Sequence, residues 1–192
     1  MTGDEVLLLV QAHLVSVLGQ DSGRAGVSFL GTERIDVLRF GPQDDVFRYV
    51  SLGMARSPMA DPGTELVAQR GPRAELLLSV RGVRDSVLRG LATLAASPAV
   101  EGVVISPGAG LDLGEPLWEG SRFTAVLVGE AGALIPDLAL DEDEPVRFLP
   151  LFPMTPNEAA WKRVHGAEAL EERWLTQGRD LRDPDRPAAD LS

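Results

Sequence analysis

The chain of 192 residues contains no cysteine, which excludes disulfide bonds, thiol nucleophiles and cysteine-ligated metals. It also lacks any apolar run near the roughly 20 residues of a membrane-spanning helix. Its first residues, Met1 to Glu5, are acidic, unlike the start of a secretory signal peptide. We therefore expect a cytoplasmic protein with no membrane contact. The share of hydrophobic residues, 44%, predicts a core that needs no covalent cross-link.

Basic residues are fewer than acidic ones, 18 against 29, so the net charge is −11. Lys162 is the single lysine, and the other basic residues are arginines. Residues 101–144 hold ten acidic residues and only one base, Arg122. Such a field repels phosphate backbones, so we expect no nucleic-acid binding. The acidity serves either solubility or the attraction of a basic protein partner.

Apolar periodicity and turn residues predict an α+β fold, a mixed and mostly antiparallel β-sheet packed with helices. Capping boxes at Thr2–Glu5 and Thr155–Glu158 mark two helix starts. Asp85 is the predicted cap of a helix that stops before Pro98. The strands are predicted within residues 26–40, 46–52, 65–69, 75–80, 103–105, 123–128 and 146–152.

The domain organisation follows from the same pattern. We expect one domain over residues 1–178, with an N-terminal helix over 3–19 and a core over 26–178. The remaining residues, 179–192, are charged and contain two prolines. They predict a C-terminal tail that frays.

The two histidines, His13 and His165, lie in no serine-nucleophile or zinc-binding motif. We interpret His13 as a histidine at the core boundary and His165 as a packing partner at a helix end. The remaining enzymatic alternative is a hydrolase or small-molecule site that uses His165 with Glu158 or Glu168. We expect no catalytic residue and no cofactor.

The acidic run 141–144 lacks the spaced ligands and the glycine of a calcium loop, so we expect a solvated turn and no metal. Residues 107–110 are glycine-rich but lack the order of a phosphate-binding loop. Glu115 and Glu119 flank Trp118, either as an acid–base pair or as a surface turn. Trp118 itself either anchors the core or is an interface hot spot.

Two methionines, Met54 and Met59, flank a proline-containing loop just after a predicted strand. Their flexible side chains either fill the core or belong to an adaptable binding surface.

Five short motifs follow one another in a familiar order. They are RYVSLGMA over 48–55, AELLLSV over 74–80, SVLRGLA over 86–92, VRFLPL over 146–151, and two late helices with Thr155, Glu158, Gly166 and Leu170. This order resembles the suppressor of fused family over about residues 26–178. One position and one segment depart from the family pattern: Ala55 replaces a serine, and Gly82–Asp85 replaces a segment that often holds a tryptophan.

The resemblance implies an α/β sandwich-like domain without catalytic residues. Animal members of the family hold a transcription-factor segment as an added β-strand, and many bacterial single-domain members are regarded as immunity proteins against toxins. The chain resembles the bacterial type, so the resemblance implies a protein that binds and neutralises a toxin-like, basic partner. The alternative is a regulatory scaffold that sequesters a transcription factor or another peptide by strand addition.

On this interpretation, the strand that ends at Leu52–Met54 offers an open sheet edge to the partner. The acidic residues would accelerate the docking of a basic partner. The candidate binding residues are Leu52, Met54, Met59, Trp118, Glu115, Glu119, Asp141, Glu142, Asp143 and Glu144.

Overall fold

The computed structural model describes residues 1–60 and 70–192. Within these residues the strands are β1 Gly23–Val27, β2 Ile35–Gln43, β3 Val46–Leu52, β4 Arg73–Arg81, β5 Gly110–Asp112, β6 Ala125–Val128 and β7 Val146–Met154. They form a seven-stranded sheet in the order β1-β2-β3-β4-β7-β6-β5. Among the described strands, only β4 and β7 pair in parallel; the other neighbours are antiparallel. The predicted α+β class with a mostly antiparallel sheet is confirmed.

The described residues also form the helices α1 Gly3–Leu18, α2 Val87–Glu101, α3 Pro156–His165 and α4 Ala167–Thr176, and a short 3₁₀ turn over Met54–Arg56. Both predicted capping boxes are present, at Thr2–Glu5 and at Thr155–Glu158. No helix in this part of the chain is both long and apolar enough to cross a membrane.

The helices cover both faces of the sheet, because alternate residues of each strand point to opposite faces. In β7, Leu149 and Leu151 belong to the cluster around α2. Val146 and Phe148 pack in the cluster of α1, and Met154 packs in the cluster of α4. The sheet is therefore the middle layer between α2 and the other helices.

Three local predictions are wrong. Residues 103–105 form no strand, and α2 continues through Pro98 to Glu101. Pro98 lacks an N–H for the Leu94 carbonyl, which accepts the Ser97 hydroxyl at 2.7 Å instead. Asp85 does not cap α2, because its carboxylate accepts hydrogen bonds from the Tyr49 hydroxyl and the Arg39 guanidinium. The strand predicted over 65–69 lies outside the described residues.

The expectation that residues 179–192 fray is also wrong. The tail returns to α3 and α4, where Arg186 is 1% exposed and Ala189 is buried. The Arg182 carbonyl accepts the N–H of Arg81 at 2.8 Å, which fixes the tail to β4. Although the tail is polar in composition, its Arg186 forms a deeply buried ion pair with Glu158 of α3.

Gly53, which follows β3, gives the first testable prediction. Its φ is +148°, and a Cβ at this position would lie 3.1 Å from the Arg34 carbonyl oxygen and 3.1 Å from Ile35 Cα. We expect Gly53→Ala to lower the free energy of unfolding by about 2 kcal/mol, measured by urea denaturation. Gly31→Ala is the matched control, because Gly31 also has a positive φ but nothing within 4 Å. Equal losses in both variants would exclude the close approach as the cause.

Candidate functional site

The apolar residues of the predicted binding set lie in the core. Leu52, Met54, Met59 and Trp118 are only 4–7% exposed. The Trp118 ring packs against Phe123 with centroids 5.8 Å apart. Trp118 is therefore a core anchor, and the two methionines fill the core; none of the four offers a surface to a partner in this structure.

The expectation that the end of β3 is an open edge is wrong, because β3 pairs with β2 on one side and β4 on the other. The run from Val46 to Leu52 is buried at every position except Arg48. Such a nearly continuous apolar run is typical of an interior strand. This signal was available in the sequence.

The acidic candidates form two separate groups, exposed except for the half-buried Asp143. Glu115 and Glu119 lie in the segment between β5 and β6, and the N–H of Glu119 donates to Ser86 Oγ, just before α2, at 2.9 Å. The run Asp141, Glu142, Asp143 and Glu144 lies at the opposite end of β4, where Asp143 is 3.8 Å from the guanidinium of Arg73. The structure does not bring the two groups together, so their joint role in partner binding stays a prediction.

The segment after β3 is held by a buried carboxylate that sequence reasoning missed. Glu75 of β4 is 0% exposed. Its Oε1 accepts the N–H groups of Gly53 and Ala55 at 2.9 and 3.0 Å, and its Oε2 accepts the Ser51 hydroxyl at 2.5 Å. Burial raises the pKa of Glu75 and these hydrogen bonds lower it. The effect of burial is larger, so the pKa is about 7. A single charged residue within the apolar run 74–80 was the available signal.

No group of three or more metal-binding side chains occurs in residues 1–60 and 70–192. His13 Nε2 lies 2.7 Å from the Pro136 carbonyl oxygen, and His165 stacks on Trp161 at 4.1 Å. The Glu158 carboxylate is bonded to Arg186 and other groups of the core rather than to His165. The arrangement therefore does not support the alternative of a Glu158–His165 hydrolase pair.

The outer strands of the described sheet are β1 and β5. Beside β1, Arg24 and Arg34 both bind the Asp36 carboxylate. The Arg34 guanidinium fills the space that a Cβ on Gly26 would occupy. Charged side chains of this kind protect a sheet edge from pairing with another chain.

The edge of β5 is arranged differently. On its inner side, the Ala109 carbonyl accepts the N–H of Val128, and the N–H of Leu113 donates to Thr124, both at 2.9 Å. Hydrogen bonding alternates along an antiparallel pair, so the N–H and C=O groups of Gly110 and Asp112 point away from β6. These backbone groups form an open edge among the described residues.

A groove of about 460 Å³ borders this edge on the α2 side. Its apolar lining includes Leu94, Val103, Val104, Leu111 and Leu113. Val103 and Val104 are 36% and 42% exposed, although valine is usually buried. The open edge and the apolar groove together provide what an added strand needs, backbone partners and a place for side chains.

Residues 31–187 match the family model described as suppressor of fused protein (SUFU). No curated protein sequence matches the chain.

The fold is similar to three solved structures. A SUFU homologue from Neisseria gonorrhoeae FA 1090 has a TM-score of 0.71 at 21% identity, over 98% of this chain and 99% of that one. The Sufu–Fu complex gives a TM-score of 0.66 at 14% identity, over 95% and 91%. Drosophila Suppressor of Fused gives 0.64 at 13% identity, over 94% of this chain but only 50% of that one. With the family model matching most of its length and the fold agreeing, the chain belongs to the suppressor of fused family.

Proposed function

We propose that the chain is a non-catalytic protein-binding domain that takes up an extended segment of its partner along the free edge of β5. The observation that carries this proposal is the open backbone of Gly110 and Asp112 beside the apolar groove. Backbone hydrogen bonds supply affinity in strand addition, and the groove supplies selectivity. The Sufu–Fu complex, in which a protein of similar fold is bound to another protein, supports binding to a protein.

We further propose that the partner is basic and toxin-like and that binding neutralises it. Glu101 and Asp112 line the groove itself, and Glu119 is exposed beside Ser86 at the other end of α2. Carboxylates in and near the groove attract a basic surface and raise the association rate. The run 141–144 lies away from this side, so it would act mainly through the long-range field.

A regulatory scaffold is the second candidate. The open edge favours it as well, because an added strand is bound through its backbone and needs no charge. The two roles differ in salt dependence. Electrostatic docking weakens steeply with ionic strength, whereas strand addition in an apolar groove does not.

The test is capture of partners from the chain's own cell lysate, with elution in steps of rising salt and identification by mass spectrometry. We expect Val104→Glu to reduce the captured partner at least tenfold, because it places a charge in the apolar groove. Val164→Glu is the matched control, since Val164 is 79% exposed on α3. We expect it to capture as much as the wild type.

The outcomes separate the proposals. A dominant basic protein released at moderate salt supports the neutralising role, and a salt-resistant partner supports the scaffold. Equal capture by Val104→Glu and the wild type would exclude the β5 groove as the binding site.

A further inference from the structure

The single lysine of the chain lies beside the free edge of β5, on the face opposite the apolar groove. Lys162 belongs to α3, and its Nζ lies 3.4 Å from the position of a Cβ on Gly110. It lines a cavity of about 80 Å³ together with Arg163 and Asp112. The Asp112 carboxylate accepts the N–H of Gly114 and is not within 4 Å of Lys162 Nζ.

The Lys162 ammonium forms no hydrogen bond or ion pair with any described residue, although its side chain is partly buried. A lysine ammonium that has no acceptor within the protein is free to form a charge-assisted hydrogen bond with a carboxylate. The neighbouring Arg163 adds a second positive charge to this cavity. Two cations and one carboxylate, that of Asp112, line the cavity, so its net charge favours an anionic side chain.

The two faces of β5 define how an added strand would be oriented. Leu111 packs toward the α2 cluster, whereas Gly110 is open toward Lys162 on the α3 side. Side chains of an added strand alternate between the same two faces. Every second residue would then enter the apolar groove, and a residue between them would lie over Lys162.

We propose that Lys162 binds an acidic side chain of the partner segment, so that the chain selects extended segments in which apolar residues alternate with a carboxylate. This inference rests on the proposed strand addition at β5. The carboxylate belongs to the bound segment alone and is compatible with a partner that is basic elsewhere. The lack of a side chain at Gly110 leaves the space beside Lys162 open, because a larger residue there would crowd the lysine.

The experiment uses two ten-residue probe peptides of alternating threonine and valine, acetylated and amidated, with a central glutamate in one and a glutamine in the other. Because the chain has one lysine, an amine-reactive reagent and mass spectrometry measure the protection of Lys162 directly. We expect the glutamate peptide to slow the labelling of Lys162 at least fivefold more than the glutamine peptide. The amino group of Met1 is the internal control and keeps its labelling rate.

Binding of the same peptides to two variants, measured by fluorescence anisotropy with a labelled probe, completes the test. We expect Lys162→Arg to retain the preference for glutamate and Lys162→Gln to lose it. If both peptides bind the wild type but not Val104→Glu, and Lys162→Gln keeps the preference, the role of Lys162 is overturned while strand addition stands. If neither peptide binds the wild type at millimolar concentration, the β5 site is overturned together with this inference.

Discussion

Replacing Arg186 with methionine should lower the free energy of unfolding by about 3–5 kcal/mol, because it leaves the Glu158 carboxylate buried without its cation. Glu158 is 0% exposed and Arg186 is 1% exposed. The two guanidinium nitrogens of Arg186 donate to Glu158 at 3.1 and 3.0 Å, and one also donates to the Pro153 carbonyl at 2.7 Å. Urea denaturation at pH 7 measures the loss.

The guanidinium of Arg186 also packs against two aromatic rings. It lies 4.7 Å from the ring centroid of Phe123 and 5.2 Å from that of Trp174. Burial opposes the charge on Glu158, but the hydrogen bonds from Arg186, Thr155 and Trp174 prevail and lower its pKa. The pair is therefore ionised at neutral pH, and losing either member leaves an uncompensated charge or donor.

Two further variants make the result specific. Arg182→Met, at an exposed tail arginine that pairs with Asp180, should cost less than about 1 kcal/mol. The double variant Glu158→Gln with Arg186→Met should recover part of the loss, since no buried charge remains. A loss below 1 kcal/mol in Arg186→Met would show that the tail contributes little to stability.

Two interactions of Glu158 show what local sequence patterns can and cannot predict. The capping box of Thr155 and Glu158 was predicted, because both residues and the hydrogen bonds between them lie within four positions. The pairing of Glu158 with Arg186 was not, because it joins residues 28 positions apart. The tail is charged and contains prolines. This composition does not distinguish a frayed tail from an ordered tail that buries a single arginine.

At the candidate site, too, local features were predictable from sequence and long-range ones were not. The residues of β7 alternate and were predicted as a strand, and the burial of β3 was visible in its apolar run. Which strands are outermost was not predictable, because the order depends on the long-range pairing of β4 with β7. The strand β5 has only three residues and follows a proline–glycine loop, so no local pattern marked it as the open edge. The binding set chosen from sequence therefore included the buried Leu52 and Met54 instead of the exposed Val104.

Glu75 carries the second large prediction, which concerns pH. Its folded-state pKa of about 7 lies above the usual 4.5, because burial favours the neutral carboxyl group. The folded chain therefore keeps a proton that the unfolded chain releases. This stabilisation is fully present below pH 4.5 and is lost as the pH rises through 7. The difference between the two pKa values corresponds to about 3 kcal/mol of unfolding free energy.

We expect the wild type to lose about 3 kcal/mol more than Glu75→Gln between pH 4.5 and pH 8, measured by urea denaturation across that range. Glutamine does not titrate, and its amide oxygen can still accept the N–H groups of Gly53 and Ala55. Glu119→Gln, at an exposed carboxylate, is the control that should follow the wild type. Parallel curves for the wild type and Glu75→Gln would contradict the raised pKa.

The pH window separates Glu75 from the carboxylates whose pKa values are lowered. Asp36, Asp180 and Glu158 have lowered pKa values, so their stabilisation is lost as the pH falls below their usual values and not as it rises toward 7. Glu75→Ala would remove the acceptor altogether and leave the Ser51 O–H and the N–H groups of Gly53 and Ala55 without an acceptor. We expect that variant to be destabilised at every pH, which distinguishes the hydrogen-bonding role of Glu75 from its titration.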